Sequence, residues 1–217
     1  MSDHFDIKIC GIKDAPTLDF AIEQGASMVG FVHFAKSPRH VDLETISALI
    51  KQTSGKASSV VLLVNPNWDL VQTIAALKPD FIQLHGSESP EFIARIKGEL
   101  GQNVIKALPV GNAEDLAAIP TFAGSGVKIL LDAKPPEGAT RPGGLGEVFD
   151  WTILDQLDPK VEFILAAGLT AQNVALAIKS TNAKGVDVSS GVESAPGTKD
   201  FAKIKQFIAN ATTALAS

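Results

Sequence analysis

Eight short apolar runs alternate with eight segments of helical spacing, and this alternation limits the possible folds more than any other feature. The runs span residues 6–10, 28–32, 59–64, 80–85, 103–108, 127–132, 161–166 and 185–190. The helical segments span residues 15–25, 43–52, 69–78, 89–98, 113–122, 149–157, 170–180 and 199–211. Apolar strands that alternate with single helices pair in parallel through right-handed crossovers, with the helices outside. Eight such units in 217 residues predict an α/β protein, a (β/α)8 TIM barrel that forms a single domain over residues 1–217.

An open, doubly wound sheet is the alternative architecture. It fits less well, because the first run is followed by CGIKDA, which lacks the G-x-G-x-x-G pattern of a dinucleotide-binding turn. The longest irregular segment, residues 133–147, has the length of a functional or mobile loop. The active site of a (β/α)8 barrel lies at the carboxyl ends of its strands, so the residues at which each run stops are the candidates.

Charge and cysteine content limit the partners and the compartment. A formal net charge of −5 argues against nucleic acid or an anionic membrane as the main partner, because both require clustered positive charge. No window approaches the roughly 20 apolar residues that span a bilayer, and no secretory signal opens the chain. One cysteine cannot form an internal disulfide, and four scattered histidines show no zinc spacing. We therefore expect a cytoplasmic protein without a metal site.

Cys10 is the single cysteine and ends the first run. A free cysteine most often packs as a small buried hydrophobe. Alternation places Lys8 and Cys10 on one strand face, and the last residue of that face would point into the barrel mouth. There a thiol, whose reference pKa is about 8.5, can act as a base when a nearby cation or helix N-terminus lowers that value. We expect Lys8 to be a structural charge inside the barrel.

Asp132 ends the sixth run. A carboxylate after a strand is commonly an N-cap or a loop residue. The functional alternative is that burial at the mouth favours its protonated form, so that it can donate a proton. A thiol base on the first strand and a carboxylic acid on the sixth suit an isomerisation that moves protons.

Anion-binding groups are expected at other strand ends. Small-residue turns follow the seventh and eighth runs, at 166–169 and 189–193. They are either simple tight turns or, taken together, a phosphate site of the kind barrels often have there. Arg39 follows the second run, and its guanidinium suits a substrate carboxylate if it points inward. Gln83 and His85 share a face at the end of the fourth run, either as substrate contacts or as satisfied polar residues.

These segments together resemble a known family. KICGI, VGFVHFAKSPRHV, QLHG, LLDA, PGGLGEVFDW, AAGL and VDVSSGVESAPGTKD occur in the order typical of the phosphoribosylanthranilate isomerases of tryptophan biosynthesis, over essentially the whole chain. The resemblance implies a small-molecule substrate, N-(5'-phosphoribosyl)anthranilate. It also implies a cofactor-free Amadori rearrangement to 1-(2-carboxyphenylamino)-1-deoxyribulose 5-phosphate. Barrels of this kind are monomers or homodimers.

The resemblance also implies a role for each candidate. Cys10, in the KICG segment, would be the general base and Asp132 the general acid. Arg39 would hold the anthranilate carboxylate, with Asp187 at the sugar hydroxyls and Gln83 and His85 as further substrate contacts. The implied phosphate-binding residues are Gly143, Gly144, Gly168, Ser189, Ser190 and Gly191, and Gly146 would border them.

Two positions depart from the family pattern, and other functions stay open. Ala167 stands where a glycine is usual, and Leu145 where a small polar residue is common. Indole-glycerol-phosphate synthase would need lysine and glutamate at several strand ends, where this chain has hydrophobic, small or thiol residues. A metal-dependent epimerase would need paired histidines and aspartates at strand ends, which the spacing here does not provide. A non-catalytic barrel that binds phosphorylated metabolites would be favoured if Cys10 or Asp132 pointed away from the pocket.

Overall fold

Eight parallel strands form a closed barrel in the computed structural model, which describes residues 5–123, 126–135, 138–139, 142–146, 149–166 and 168–216. Each strand pairs with its neighbours in sequence, and β8 pairs with β1. The strands are β1 Asp6–Cys10, β2 Met28–Val32, β3 Ser58–Leu63, β4 Phe81–Leu84, β5 Val104–Val110, β6 Lys128–Ala133, β7 Phe163–Leu165 and β8 Gly185–Val188. The predicted (β/α)8 barrel is confirmed.

Helices cover the outside of the barrel. The α-helices are α1 Ala15–Glu23, α2 Leu43–Thr53, α3 Trp68–Ala76, α4 Pro90–Leu100, α5 Ile119–Phe122, α6 Val174–Ser180 and α7 Phe201–Leu215, and 3-10 helices span Ala113–Ala118, Trp151–Gln156 and Ser190–Val192. Short polar side chains begin five of the α-helices by accepting a hydrogen bond from a first-turn amide: Asp14, Asp42, Asn67, Ser89 and Asp200. A small antiparallel hairpin, β9 Glu193–Ala195 with β10 Thr198–Lys199, follows the last barrel strand.

Two of the predicted helices differ from the expectation. The segment 113–122 is a 3-10 helix followed by the four-residue α5. Pro120 has no amide hydrogen to donate to Leu116, so one continuous α-helix would lose a hydrogen bond there. The segment 149–157 holds only the six-residue 3-10 helix Trp151–Gln156. A helix this short gains little stability from its own hydrogen bonds, so its packing against neighbouring elements decides its form.

The core has two layers, one on each side of the sheet. The larger layer lies between the strands and the outer helices. Inside the barrel, a floor of buried apolar side chains fills the lower part: Met28, Val60, Ile105, Ala107, Leu130, Ile164 and Ala166. A smaller cluster of Cys10, Val32 and Leu62 lies nearer the mouth. A pocket lies at the carboxyl ends of the strands, where parallel barrels place their sites.

The part of the chain that the structure describes contains no helix of the length and apolar character needed to cross a membrane.

Candidate active site

The pocket lies at the carboxyl ends of the barrel strands, where parallel barrels place their small-molecule sites. Eleven of the twelve predicted site residues line it: Cys10, Arg39, Gln83, His85, Asp132, Gly143, Gly144, Gly168, Asp187, Ser189 and Ser190. Gly191 does not line the pocket, and its α-carbon instead packs against the carbonyl of Leu169. Leu145 and Gly146 also line the pocket, whereas Ala167 lies outside the described residues.

Cys10 stands at the pocket wall opposite Gly30 of β2. A β-carbon added at Gly30 would lie 2.8 Å from the Cys10 sulfur, so the glycine provides the space that the thiol occupies. Burial raises the pKa of the Cys10 thiol and outweighs the opposite effect of the cations Lys8, Lys199 and Arg39. The thiol is only 4% exposed, so the cations lower its pKa by less than burial raises it in the free protein.

A chain of polar contacts runs beneath the pocket from β8 to β6. The Lys8 ammonium donates to Asp187 Oδ2 and to Gln83 Oε1, each at 2.9 Å. Gln83 Nε2 lies 3.3 Å from His85 Nδ1, and His85 Nε2 lies 3.3 Å from Asp132 Oδ2. Lys8 and Gln83 are completely buried. The predicted structural charge at Lys8 is present, and it connects two residues that the sequence left as separate candidates.

Asp132 is oriented by its neighbour Ala133 on β6 and by His85, which directly follows β4. Its Oδ1 accepts a hydrogen bond from the Ala133 amide at 2.9 Å, and its Oδ2 faces His85. The loop after β6 covers this pair, since a β-carbon at Gly143 would lie 2.6 Å from Asp132 Oδ2 and 2.7 Å from His85 Nε2. Only a residue without a side chain allows this close approach of the loop.

Arg39 points inward, as binding of a substrate carboxylate requires, but two of its three nitrogens already have a partner. Nε and Nη2 donate to the two carboxylate oxygens of Glu193 at 2.7 and 2.9 Å. Glu193 also accepts from Lys199 Nζ at 3.0 Å and from the Gly197 amide at 3.2 Å. Burial alone would raise the pKa of Glu193, but hydrogen bonds from Arg39 and Lys199 hold it below its usual value. Arg39 Nη1 lies beside the pocket residue Gly144.

The β9–β10 hairpin and the end of β1 fix the path of the Arg39 side chain. Gly11 has a φ of +80°, a conformation that favours glycine, and a β-carbon there would lie 2.6 Å from Arg39 Cδ. Gly197, in the hairpin turn, packs against the carbonyl of Pro38. The arginine therefore lies across Gly11 and is held from its far end by the hairpin.

Among the residues that the structure describes, no group of three or more histidine, cysteine, aspartate or glutamate side chains is arranged to hold a metal ion.

A family model described as N-(5'phosphoribosyl)anthranilate (PRA) isomerase matches residues 7–210. The chain belongs to this isomerase family. The N-(5'-phosphoribosyl)anthranilate isomerase of Azorhizobium caulinodans is 50% identical over 204 residues, which cover 94% of this chain and 90% of the relative. The isomerase of Rhodopseudomonas palustris is 48% identical over 209 residues, covering 96% and 98%.

Solved structures of the same family share the fold. Phosphoribosyl anthranilate isomerase from Thermotoga maritima matches with a TM-score of 0.85 at 34% identity, over 96% of this chain and 99% of that one. A phosphoribosyl anthranilate isomerase in complex with reduced 1-(o-carboxyphenylamino)-1-deoxyribulose 5-phosphate matches with a TM-score of 0.82 at 32% identity, with the same coverage.

Two site residues of this isomerase were missed by the sequence interpretation. Glu193 and Lys199 lie in a segment that was interpreted through its serines and glycines, and no local pattern marks them as partners of Arg39. What identifies them is the buried position of their side chains on the β9–β10 hairpin, which returns over the barrel mouth and is known only from the tertiary structure. The indole-glycerol-phosphate synthase and epimerase alternatives are excluded by the family match.

Proposed function

We propose that Cys10 and Asp132 divide the proton transfers of the isomerisation for which this family is named. The observation that carries the proposal is their placement: both line one pocket, Cys10 at the end of β1 and Asp132 on β6, across the barrel mouth. A thiolate is suited to take a proton and a carboxylic acid to give one. The alternative of a non-catalytic barrel is disfavoured, because neither side chain points away from the pocket.

Asp132 begins the reaction as general acid. Its proton passes to the ribose ring oxygen while the bond from C1 to that oxygen breaks. The nitrogen lone pair of the anthranilate group forms the second bond to C1, giving an open-chain Schiff base with a positive nitrogen. Asp132 is left as the carboxylate, which the Ala133 amide and His85 stabilise.

Cys10 then acts as general base. Its thiolate removes the proton from C2, the electron pair of that bond forms a C1–C2 double bond, and the nitrogen regains its lone pair. The product is an enolamine. Loss of the proton from the C2 hydroxyl and gain of one at C1 convert it to the ketone, 1-(2-carboxyphenylamino)-1-deoxyribulose 5-phosphate. The cations Lys8, Lys199 and Arg39 favour the thiolate against the effect of burial.

Other pocket residues are proposed to hold the substrate. Asp187 Oδ1 is buried and has no hydrogen-bond partner among the described residues, which suits a sugar hydroxyl as donor. Arg39 Nη1 is placed for the anthranilate carboxylate. Ser189, Ser190 and Gly168, at the ends of β7 and β8, form the phosphate end, where barrels of this type commonly bind phosphate. The related isomerase that binds a reduced product supports a phosphosugar linked to an aromatic carboxylate as the ligand.

Substitution of the acid and the base tests the assignment. We expect Cys10→Ala and Asp132→Asn each to lower kcat by roughly 10²- to 10⁴-fold, measured by the loss of the anthranilate fluorescence of the substrate. Glu99→Gln, which changes an exposed carboxylate on α4, serves as the control and keeps the wild-type rate. A near-normal rate in either site variant would refute the role of that residue, and phosphosugar binding without turnover by the wild type would favour the non-catalytic barrel. Cytoplasmic location and a monomeric or homodimeric state stay predictions.

A further inference from the structure

We propose that Lys8 and Gln83 fix the tautomer of His85, so that the imidazole carries its hydrogen on Nε2 and donates it to Asp132. In this proposal Lys8, Gln83 and His85 are positioning residues that act through Asp132. The kinetic consequence rests on the proposed function, whereas the tautomer itself does not.

The first step is the orientation of the Gln83 side chain. Lys8 Nζ lies 2.9 Å from Gln83 and 2.9 Å from Asp187, inside the barrel and with no exposure to solvent. Burial alone would lower the pKa of Lys8, but the attraction of Asp187 raises it, so the amine is an ammonium. An ammonium has three donors and no acceptor. The Gln83 atom that faces it must therefore be the carbonyl oxygen.

The second step passes this orientation to His85. With its oxygen on Lys8, Gln83 presents its amide nitrogen to His85 Nδ1, 3.3 Å away. The amide nitrogen carries two hydrogens and accepts none, so His85 Nδ1 must be the acceptor. Rotation of the amide by half a turn would place its hydrogens against the ammonium. A neutral imidazole with a bare Nδ1 carries its hydrogen on Nε2.

The third step is the effect on Asp132. His85 Nε2 lies 3.3 Å from Asp132 Oδ2, so a hydrogen on that nitrogen would present a donor, and not a lone pair, to the carboxyl group. Asp132 Oδ1 accepts a hydrogen bond from the Ala133 amide, so the Nε2 hydrogen would lie beside the second oxygen of a carboxyl group that is already oriented. Gly143 covers the His85–Asp132 contact. The buried lysine thus orients the proposed acid through two intermediate side chains, without touching it.

Nitrogen NMR of the His85 ring tests the tautomer directly. In uniformly 15N-labelled protein at about pH 8.5, above the reference histidine pKa of about 6.5, we expect the wild-type ring to show a protonated Nε2 and an unprotonated Nδ1. The His85 signals are identified by their loss in His85→Asn. A wild-type ring with hydrogen on Nδ1, or a mixture of the two tautomers, would overturn the proposal.

Substitution of Gln83 tests the cause. Gln83→Glu places an acceptor beside Nδ1, so we expect Nδ1 to become protonated, either as the other neutral tautomer or as the imidazolium. Gln83→Met has similar size and no hydrogen-bonding group, and we expect it to release the constraint and give both tautomers. Circular dichroism confirms folding of each variant, and Gln83→Met keeps the test decisive if Gln83→Glu does not fold. Wild-type ring signals in a folded variant of either kind would contradict the proposal.

Kinetics provide the second readout. A hydrogen bond to a charged group is worth enough for a roughly ten- to hundredfold change in rate, so we expect Gln83→Glu to lower kcat by about that factor with little change in KM. A change confined to KM would indicate a substrate contact instead and would overturn the positioning role. If the wild type shows no isomerase activity while His85 has its hydrogen on Nε2, the proposed function fails and the tautomer assignment stands. If the wild type is active and His85 has the other tautomer, only this inference fails.

Discussion

Replacing Glu193 by glutamine removes the negative charge that lies between two buried cations, Arg39 and Lys199. Glu193 accepts from both of them and from the Gly197 amide, and all three charged side chains are at most 5% exposed. Glutamine has nearly the same shape but offers one acceptor oxygen, and its amide nitrogen would face a donor of Arg39 or Lys199. The two cations would then repel each other in a buried site.

The expected cost follows from this burial. Removal of one partner from a buried ion pair costs about 3–5 kcal/mol, and the retained oxygen of glutamine favours the lower end, about 3 kcal/mol. For a domain of 217 residues, that loss lowers Tm by roughly 6–12 °C. Because Arg39 also loses the anchor of Nε and Nη2, we expect KM to rise about tenfold, with a smaller change in kcat.

Urea unfolding followed by circular dichroism, together with steady-state kinetics, measures both effects. Glu99→Gln is the matched control, since it makes the same chemical change in the pair of Glu99 with Arg95, whose side chains are 55% and 45% exposed. Exposed pairs of this kind contribute less than about 1 kcal/mol. If the two variants lose the same free energy of unfolding, or if KM is unchanged in Glu193→Gln, the buried cluster does not hold Arg39 and the reasoning is wrong.

Two further predictions concern Cys10. Gly30→Ala places a methyl group 2.8 Å from the Cys10 sulfur. We expect this variant to lose about 1–3 kcal/mol of folding free energy and to have an at least tenfold lower kcat, because the thiol is displaced. An unchanged kcat would contradict the role of Cys10 as the base. The second prediction concerns the pH dependence of kcat/KM. Because burial raises the pKa of the thiol and the thiolate is the base, kcat/KM should rise with pH through the alkaline range, above the reference value of about 8.5. A profile that is already flat below pH 7.5 would refute this assignment.

The strand ends show why some of the site could be predicted from the sequence. The end of an apolar run is a local feature, and in a parallel barrel all carboxyl ends meet at one mouth, so Cys10 and Asp132 could be assigned to one pocket without knowing their distance. The family motifs then added roles. The two 3-10 helices at 113–118 and 151–156 were missed, because helical spacing alone does not distinguish a short 3-10 turn from an α-helix.

The sequence by itself determined the barrel and the set of residues at its mouth, because hydrophobic periodicity and strand termination are encoded over a few neighbouring residues. Only the tertiary structure decided how those residues are connected. The contact of Lys8 with Asp187 joins residues 179 positions apart, and the Glu193 carboxylate reaches Arg39 across 154. The tertiary structure also decided the direction in which the Cys10 pKa shifts, since this depends on the balance between burial and the nearby charges, which include three cations from different parts of the chain. Such contacts exist only once the barrel closes, and no local pattern in the chain records them.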